Sequence, residues 1–221
     1  MQIGGQLVAI EVSGSLRAAE ARDKVTVSLN LSANLSDLQS KITPILRAQL
    51  NQDNRCGDRV SLEEAQLVPR PPASLLMAKI HYEKWGCAKV LGREVVKKLV
   101  GGNGVIQVGL TPRIDDSESV RLEAEVTSIE ADGELREVLR STPFGSVVRE
   151  KIQRSIASAV EKSAAPPVSL GALQGFVRIR TAQFSQDRDL HLFLDLAADG
   201  QVSAEQAQSL LQGLKAAASV N

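Results

Sequence analysis

A strand followed by an amphipathic helix is predicted by residues 25–51, which read VTVSLNLSANLSDLQSKITPILRAQLN. The first part alternates apolar and polar residues, the period-2 pattern of a strand with one buried and one solvated face. Asn34 then supplies a capping side chain for a helix that runs to the end of the stretch. The apolar stripe of this helix consists of Leu35, Leu38, Ile42, Ile45 and Leu46. Pro44 predicts either a kink in the helix or a later start.

The order of hairpin and helix recurs along the chain, with hairpin-then-helix units ending near residues 51, 163 and 218 and one extra hairpin between the first two units. The predicted strands cover 6–16, 25–31, 60–68, 75–82, 105–114, 120–129, 176–184 and 190–198. The predicted helices cover 34–51, a short piece near 90–100 ended by Gly101-Gly102-Asn103-Gly104, 134–163 with a break at Thr142-Pro143, and 203–218. Strands joined by tight turns are typical of an antiparallel sheet with helices on one face.

The fold class expected is therefore α+β: a curved antiparallel sheet built from hairpins and packed against long amphipathic helices, in one domain of residues 1–221. In the last hairpin, Leu190, Leu192, Leu194 and Leu196 are predicted to line one face. Phe193 falls among polar neighbours on the other face.

The charge balance excludes several classes of function. The chain has 26 basic and 26 acidic residues, so it offers nucleic acid no basic footprint and anionic lipid no polybasic attraction. Aromatic residues make up only 3%, too few for base-stacking platforms. No apolar run is long enough for a membrane-spanning helix. The N-terminal residues lack the basic and apolar regions of a signal peptide, so none is expected in this sequence.

The two cysteines, Cys56 and Cys87, lie almost symmetrically about Pro71-Pro72 in the second hairpin. Pairing Val60 with Tyr82 shifts the register by one residue, and a bulge near Glu63-Glu64 would absorb the shift. This placement favours a disulfide, and with it an oxidising compartment, over two reduced thiols. It would close a loop of about 30 residues and stabilise the fold by roughly 3–4 kcal/mol.

The search for catalytic residues yields only turn and strand positions. His81 and His191 alternate with apolar residues and are predicted to be solvent-facing strand residues. The aspartates at Asp115-Asp116, Asp187 and Asp189 are expected to shape hairpin turns. The glycines after residue 100 lack the Gly-Lys-Ser/Thr ending of a phosphate loop, and no Gly-x-Ser-x-Gly elbow occurs. We expect a protein that is not an enzyme and has no cofactor and no bound metal.

Two apolar helix seams remain as candidate ligand-binding residues. The set consists of Leu38, Ile42, Ile45 and Leu46 on the first helix and Phe144, Val148, Ile152 and Ile156 on the third. Either these seams pack directly on the sheet, the usual fate of an amphipathic helix, or they line an apolar groove between helix and sheet. An aliphatic lining with few aromatic residues suits acyl chains.

The order of elements resembles the tubular lipid-binding superfamily, which includes bactericidal/permeability-increasing-type modules. The segments that carry the resemblance are 35–51, the hairpin 60–82 with its cysteines, and 144–160. The resemblance spans roughly residues 25–200 and is topological; the helix predicted at 203–218 departs from it. It implies a curved sheet around a long helix, with lipid in an apolar cavity.

Two functions are compatible with these observations. The first is non-catalytic binding of a lipid or other apolar ligand in a groove between sheet and helices, in a periplasmic or secreted protein that also makes peripheral membrane contact. The second is a structural or assembly module of the cell envelope that binds a protein partner. Fold alone does not choose between them.

Overall fold

The computed structural model describes residues 2–3, 5–21, 24–50, 56–91, 93–115, 119–140, 146–147, 150, 153–154 and 177–203. The strands are β1 (Gln2–Ile3), β2 (Gln6–Leu7), β3 (Glu11–Ala21), β4 (Lys24–Asn34), β5 (Gly57–Arg70), β6 (Ala73–Val90), β7 (Arg93–Ile114), β8 (Val120–Ala131), β9 (Arg178–Gln186) and β10 (Leu192–Val202). Helix α1 (Ser36–Leu50) follows β4, and helix α2 (Gly133–Arg140) follows β8. Over these residues the chain has the predicted α+β fold.

The strands form two four-stranded antiparallel sheets rather than one. The first sheet has the order β3-β4-β10-β9, and the second has the order β5-β6-β7-β8. The last hairpin lies in the same sheet as the first hairpin, because residues 193–202 of β10 pair with residues 25–34 of β4. Leu196 lies opposite Leu31 in this pairing. Within the described part of the chain, the short strands β1 and β2 pair only with each other.

Helix α1 covers the open edge of the second sheet. Its start is capped as predicted, since Ser36 donates its backbone N–H to Asn34 Oδ1 at 2.9 Å. The helix is continuous through Pro44. Thr43 Oγ1 donates to the Ala65 carbonyl at 2.9 Å and accepts from the Ala65 N–H at 3.0 Å. These bonds satisfy backbone groups that an edge strand such as β5 would otherwise leave unpaired.

The core has two main clusters of buried apolar side chains. The larger one joins α1, α2 and the inner face of the second sheet, and it also includes Phe184 and Leu192 from the first sheet. Its centre contains Leu76, Ile80 and Tyr82, each at most 1% exposed. The smaller cluster lies under the first sheet, from Val25 to Val202. Since the larger cluster draws on both sheets, the two sheets share one packed interior.

The prediction of a helix near residues 90–100 is wrong, because residues 93–100 belong to the 22-residue strand β7. Residues 93–98 pair with 85–90 of β6 in a continuous ladder. The glycines that follow do not end a helix but permit close packing. A Cβ on Gly102 would lie 2.7 Å from Leu135 Cβ of α2, and one on Gly104 would lie 2.9 Å from the Glu130 carbonyl oxygen of β8.

Other boundaries also differ from the prediction. The strand predicted over 6–16 is divided into β2 and β3, and β3 continues beyond residue 16 to Ala21. Leu190 lies before β10 with φ +62° and is 58% exposed, so it does not join the buried leucine face. Of the helix predicted at 134–163, the first part is α2, which ends at Arg140, and most of the remainder lies outside the described residues. The helix predicted at 203–218 lies outside them except for Ser203. Among the described helices, none is both long and apolar enough to cross a membrane.

Candidate functional site

The first predicted ligand seam is packed against protein atoms. Ile42 and Leu46 are 8% and 1% exposed and contact the larger core cluster. Ile45 is fully buried in a small cluster with Ile3 and Val8. Leu38 is partly buried between these clusters. The other four predicted residues, Phe144, Val148, Ile152 and Ile156, lie outside the described residues, so the ligand-binding role of the whole set stays a prediction.

The histidines and turn aspartates make local contacts. His81 is on a strand, as predicted, and its Nδ1 lies 2.6 Å from Asn103 Oδ1. His191 is not on a strand; it precedes β10, and its Nδ1 lies 2.8 Å from Asp187 Oδ2. Asp187 Oδ1 accepts the backbone N–H groups of Asp189 and His191, each at 2.9 Å. The hydrogen bond with the His191 ring, followed by the backbone bonds, lowers the pKa of Asp187. The backbone bonds are the turn role expected of this residue.

The disulfide predicted between Cys56 and Cys87 is present, with Cα atoms 5.8 Å apart. The register is also as predicted, with Val60 opposite Tyr82 and a bulge between Leu62 and Glu64. The bond links the residue before β5 to the part of β6 that lies past its last β5 partner, Trp85. It therefore ties the base of the next hairpin to the sheet.

That hairpin, residues 85–99, extends past both of its neighbours and is here named the tip hairpin. Strand β5 pairs with β6 only as far as Trp85, and β8 pairs with β7 only from Gly104 onward. Beyond these points, among the residues that the structure describes, β6 and β7 pair only with each other. The tip hairpin is thus a two-stranded ribbon, and the face that continues the core side of the sheet is left in contact with solvent.

Apolar and basic side chains alternate on this open face. Leu91 at the turn is 100% exposed, Leu99 is 54% exposed and Val95 is 48% exposed. Arg93 and Lys97 flank Val95 at two-residue spacing on the same strand face, and both are exposed. Over the whole tip hairpin there are four basic residues and one acidic residue. The ribbon is both more apolar and more cationic than an ordinary solvated hairpin.

The other face of the tip hairpin is held at its base by a polar network around Glu83. Lys98 Nζ donates to Glu83 Oε1 at 2.6 Å, and Trp85 Nε1 donates to Glu83 Oε2 at 2.9 Å. The hydrogen bond from Lys98, followed by that from Trp85, lowers the pKa of Glu83 to about 2. The Arg59 guanidinium lies over the Trp85 ring, 4.8 Å from its centroid. The network and the disulfide fix the ribbon at its root.

Sequence reasoning missed the tip hairpin for two reasons. The charges cancel over the whole chain, which hides a local excess of basic residues. In addition, the sequence near residues 90–100 favours a short helix over a strand. The signal that would have found it is the alternation of Arg93, Val95 and Lys97 after the Leu91-Gly92 pair, which is a period-2 strand pattern with a turn.

Comparisons with known proteins include a distant structural similarity. No family model matches the chain, and no curated protein matches its sequence. Among solved structures, the chain is similar to the crystal structure of lipopolysaccharide binding protein, with a TM-score of 0.35 and 9% sequence identity. The similarity covers 78% of this chain and 32% of that one, so the chain spans about a third of that protein's length.

Proposed function

We propose that this chain is a non-catalytic lipid-binding protein that contacts an anionic membrane surface through the tip hairpin. The observation that carries the proposal is Leu91, which is completely exposed at the turn and has φ +51°. Leucine in the left-handed region costs roughly 1–2 kcal/mol. Leaving a leucine in water also forgoes roughly 1.5–3 kcal/mol of burial. The positive φ is required by the two-residue turn between Val90 and Arg93, and the full exposure of the side chain is accounted for if it enters a membrane.

The basic residues support the same orientation. Arg93 and Lys97 share the open face with Val95, so an inserted Leu91 would bring both cations to the level of the lipid headgroups. Each basic residue near an anionic surface contributes about 1 kcal/mol of attraction, which salt screens. Apolar insertion and charge attraction together are the two signals that stable peripheral binding needs.

A bound lipid inside the protein is the second part of the proposal. The seam residues Leu38, Ile42, Ile45 and Leu46, together with Phe144, Val148, Ile152 and Ile156, remain the proposed lining. The Cys56–Cys87 disulfide supports an oxidising, extracytoplasmic location. Lipid extraction and mass spectrometry of the purified protein test this part: an acyl lipid in stoichiometric amount is expected. A lipid-free protein that takes up no fluorescent acyl probe would contradict it.

Vesicle co-sedimentation tests the membrane contact. The wild-type chain is expected to bind phosphatidylcholine vesicles that contain phosphatidylglycerol, and to release them in high salt. Leu91→Asn is the most informative variant, because Asn tolerates positive φ and Asn-Gly is the preferred pair for a two-residue hairpin turn. It removes the apolar side chain without a folding penalty and is expected to weaken binding by about tenfold or more, since full burial of leucine is the interaction lost.

Charge reversal gives an independent variant with matched controls. Arg93→Glu/Lys97→Glu is expected to abolish binding to anionic vesicles. The controls are Leu7→Ser, which removes another exposed leucine, and Arg70→Glu/Arg188→Glu, which reverses two exposed charges elsewhere. Equal binding by the tip and control variants would refute the proposed contact.

A protein partner is the alternative function, and one observation favours it. Among the described strands, none pairs with the outer edge of β7 over residues 93–99, so this edge can accept an added strand. Such a partner would protect the amide protons of this edge from exchange in the absence of lipid. Protection that appears with a purified envelope extract but not with vesicles would favour the assembly role over membrane contact.

A further inference from the structure

A second surface, on the first sheet, is polar across all four strands. Two successive rows of directly opposed residues cross it. One row consists of Ser13, Ser32, Asp195 and Gln183, and the next consists of Ser15, Asn30, Ala197 and Thr181. All but Ala197 carry a hydroxyl, amide or carboxylate group. We name these two rows the polar groove.

The polar groove is a concavity of about 520 Å³ that these side chains line. This volume is within the usual range of small-ligand pockets. Ala197, in the second row, has only a methyl group and leaves room between its larger neighbours. The opposite face of the same strands carries Leu196 and the smaller apolar core, so the sheet itself is a rigid floor for the groove.

The hydrogen-bonding groups of the groove are largely unused by the protein. Ser32 Oγ donates to Asp195 Oδ1 at 2.6 Å. Within the described part of the chain, Asp195 Oδ2 and the side chains of Ser13, Asn30 and Gln183 have no hydrogen-bond partner. These groups offer a ligand both donors and acceptors, and one acceptor is charged and therefore strong.

The carboxylate of Asp195 disfavours an anionic ligand within the two rows. Asp195 is the one ionised group in the two rows. Basic side chains on this face begin in the following row, where Arg17 lies opposite Ser28 and Arg178 opposite Asp199, and where Arg180 is paired with Asp199. An anion bonded within the two rows would meet the Asp195 carboxylate, with these cations only at the edge of the groove. A neutral molecule with many hydroxyl groups matches the set of donors and acceptors.

Phe193 adds an aromatic ring beside the polar groove. It lies two residues before Asp195 on β10 and so projects from the same face, beside the polar groove, and it is only partly buried. It does not belong to either core cluster. An aromatic ring beside hydroxyl and carboxylate groups offers the C–H face of a sugar ring an apolar surface.

We propose that the polar groove binds a neutral saccharide, with Asp195 and Gln183 bonding to ring hydroxyls and Phe193 contacting the ring face. The inference is independent of the membrane contact, because no residue is shared between the two sites. Asp195→Asn keeps an acceptor for Ser32 but removes the charge, and Gln183→Ala removes an exposed amide. Both variants are expected to fold normally.

Saturation-transfer difference NMR on the full chain tests the proposal with maltose and lactose as neutral probes and glucuronate as the charged probe. The neutral sugars are expected to show transfer, and glucuronate much less. Asp195→Asn and Gln183→Ala should each weaken binding by about tenfold, because the first replaces a charge-assisted hydrogen bond by a weaker neutral one and the second removes a hydrogen-bonding amide. Gln201→Ala, on the same face of β10 but outside the groove, should leave binding unchanged.

Three outcomes would overturn the saccharide site. The first is no transfer from either neutral sugar at millimolar concentration. The second is transfer from glucuronate equal to that from the neutral sugars. The third is binding that survives unchanged in both groove variants. Phe193→Leu supplies a further check, since it keeps an apolar side chain but should reduce transfer to the sugar C–H protons.

Discussion

Cys56 is bonded to Cys87 immediately beyond the last β5–β6 pair, Gly57 with Trp85, where the tip hairpin leaves the second sheet. The bond spans a sequence separation of 31 and restricts the unfolded chain as well as the ribbon. It is thus placed to stabilise the whole domain and to hold the root of the proposed membrane contact.

Removal of this bond should lower global stability. Cys56→Ser/Cys87→Ser is expected to reduce the free energy of unfolding by about 3–4 kcal/mol, because the unfolded chain regains the entropy of an open loop. Urea denaturation measures the change. The wild-type chain in reductant should show the same loss, while the double variant should not respond to reductant. Identical midpoints for oxidised wild type and variant would contradict the prediction.

Tyr82, the one tyrosine of the chain, should ionise only at strongly alkaline pH. It is fully buried and donates its hydroxyl to Asp58, and burial first, then this hydrogen bond, raises its pKa above the ordinary value of 10.0. A raised pKa in the folded state means that the stabilisation is present below pH 10 and is lost as the pH rises further.

Absorbance at the tyrosinate band follows this titration without interference from another tyrosine. The unfolding free energy of the wild-type chain should fall above pH 10, whereas that of Tyr82→Phe should not show this fall. A tyrosinate signal that appears at the ordinary pH while the protein remains folded would show that the ring is not buried as described.

Glu83 should remain charged well into acid. Its pKa of about 2 lies below the ordinary 4.5, so the network contributes stability above pH 4.5 that is lost as the pH falls toward 2. NMR titration of the Glu83 carboxyl carbon measures the value directly. Lys98→Met removes the main cause and should raise the pKa, with a parallel change in the fluorescence of Trp85, the one tryptophan. An unchanged pKa in Lys98→Met would rule out the assigned cause.

Most of the fold could be predicted because its strands alternate cleanly and tight turns separate them. The bulge between Leu62 and Glu64 could be predicted because two cysteines and a proline turn constrain one register. The division into two sheets could not, since it depends on β10 pairing with β4 at a distance along the chain. Local pattern contains no information about such a pairing.

The segment 93–100 shows the physical limit most clearly. Its lysines, arginine and glutamate are compatible with an exposed helix, and only pairing with β6 makes it a strand. In the sequence, the glycines after it indicate the end of a helix. In the fold, Leu135 occupies the space that a side chain at Gly102 would need. The tip hairpin could not be predicted for the same reason, because apolar and basic side chains share one face only when the segment is extended.

Fluorescence quenching by brominated lipids tests the central claim most directly. In the Trp85→Phe background, Leu91→Trp places the one fluorophore at the turn of the tip hairpin. The account predicts strong quenching by anionic vesicles whose acyl chains are brominated, with loss of the quenching in high salt or after Arg93→Glu/Lys97→Glu. Vesicle-bound protein whose fluorophore is not quenched, or the absence of any binding to anionic vesicles, would contradict it.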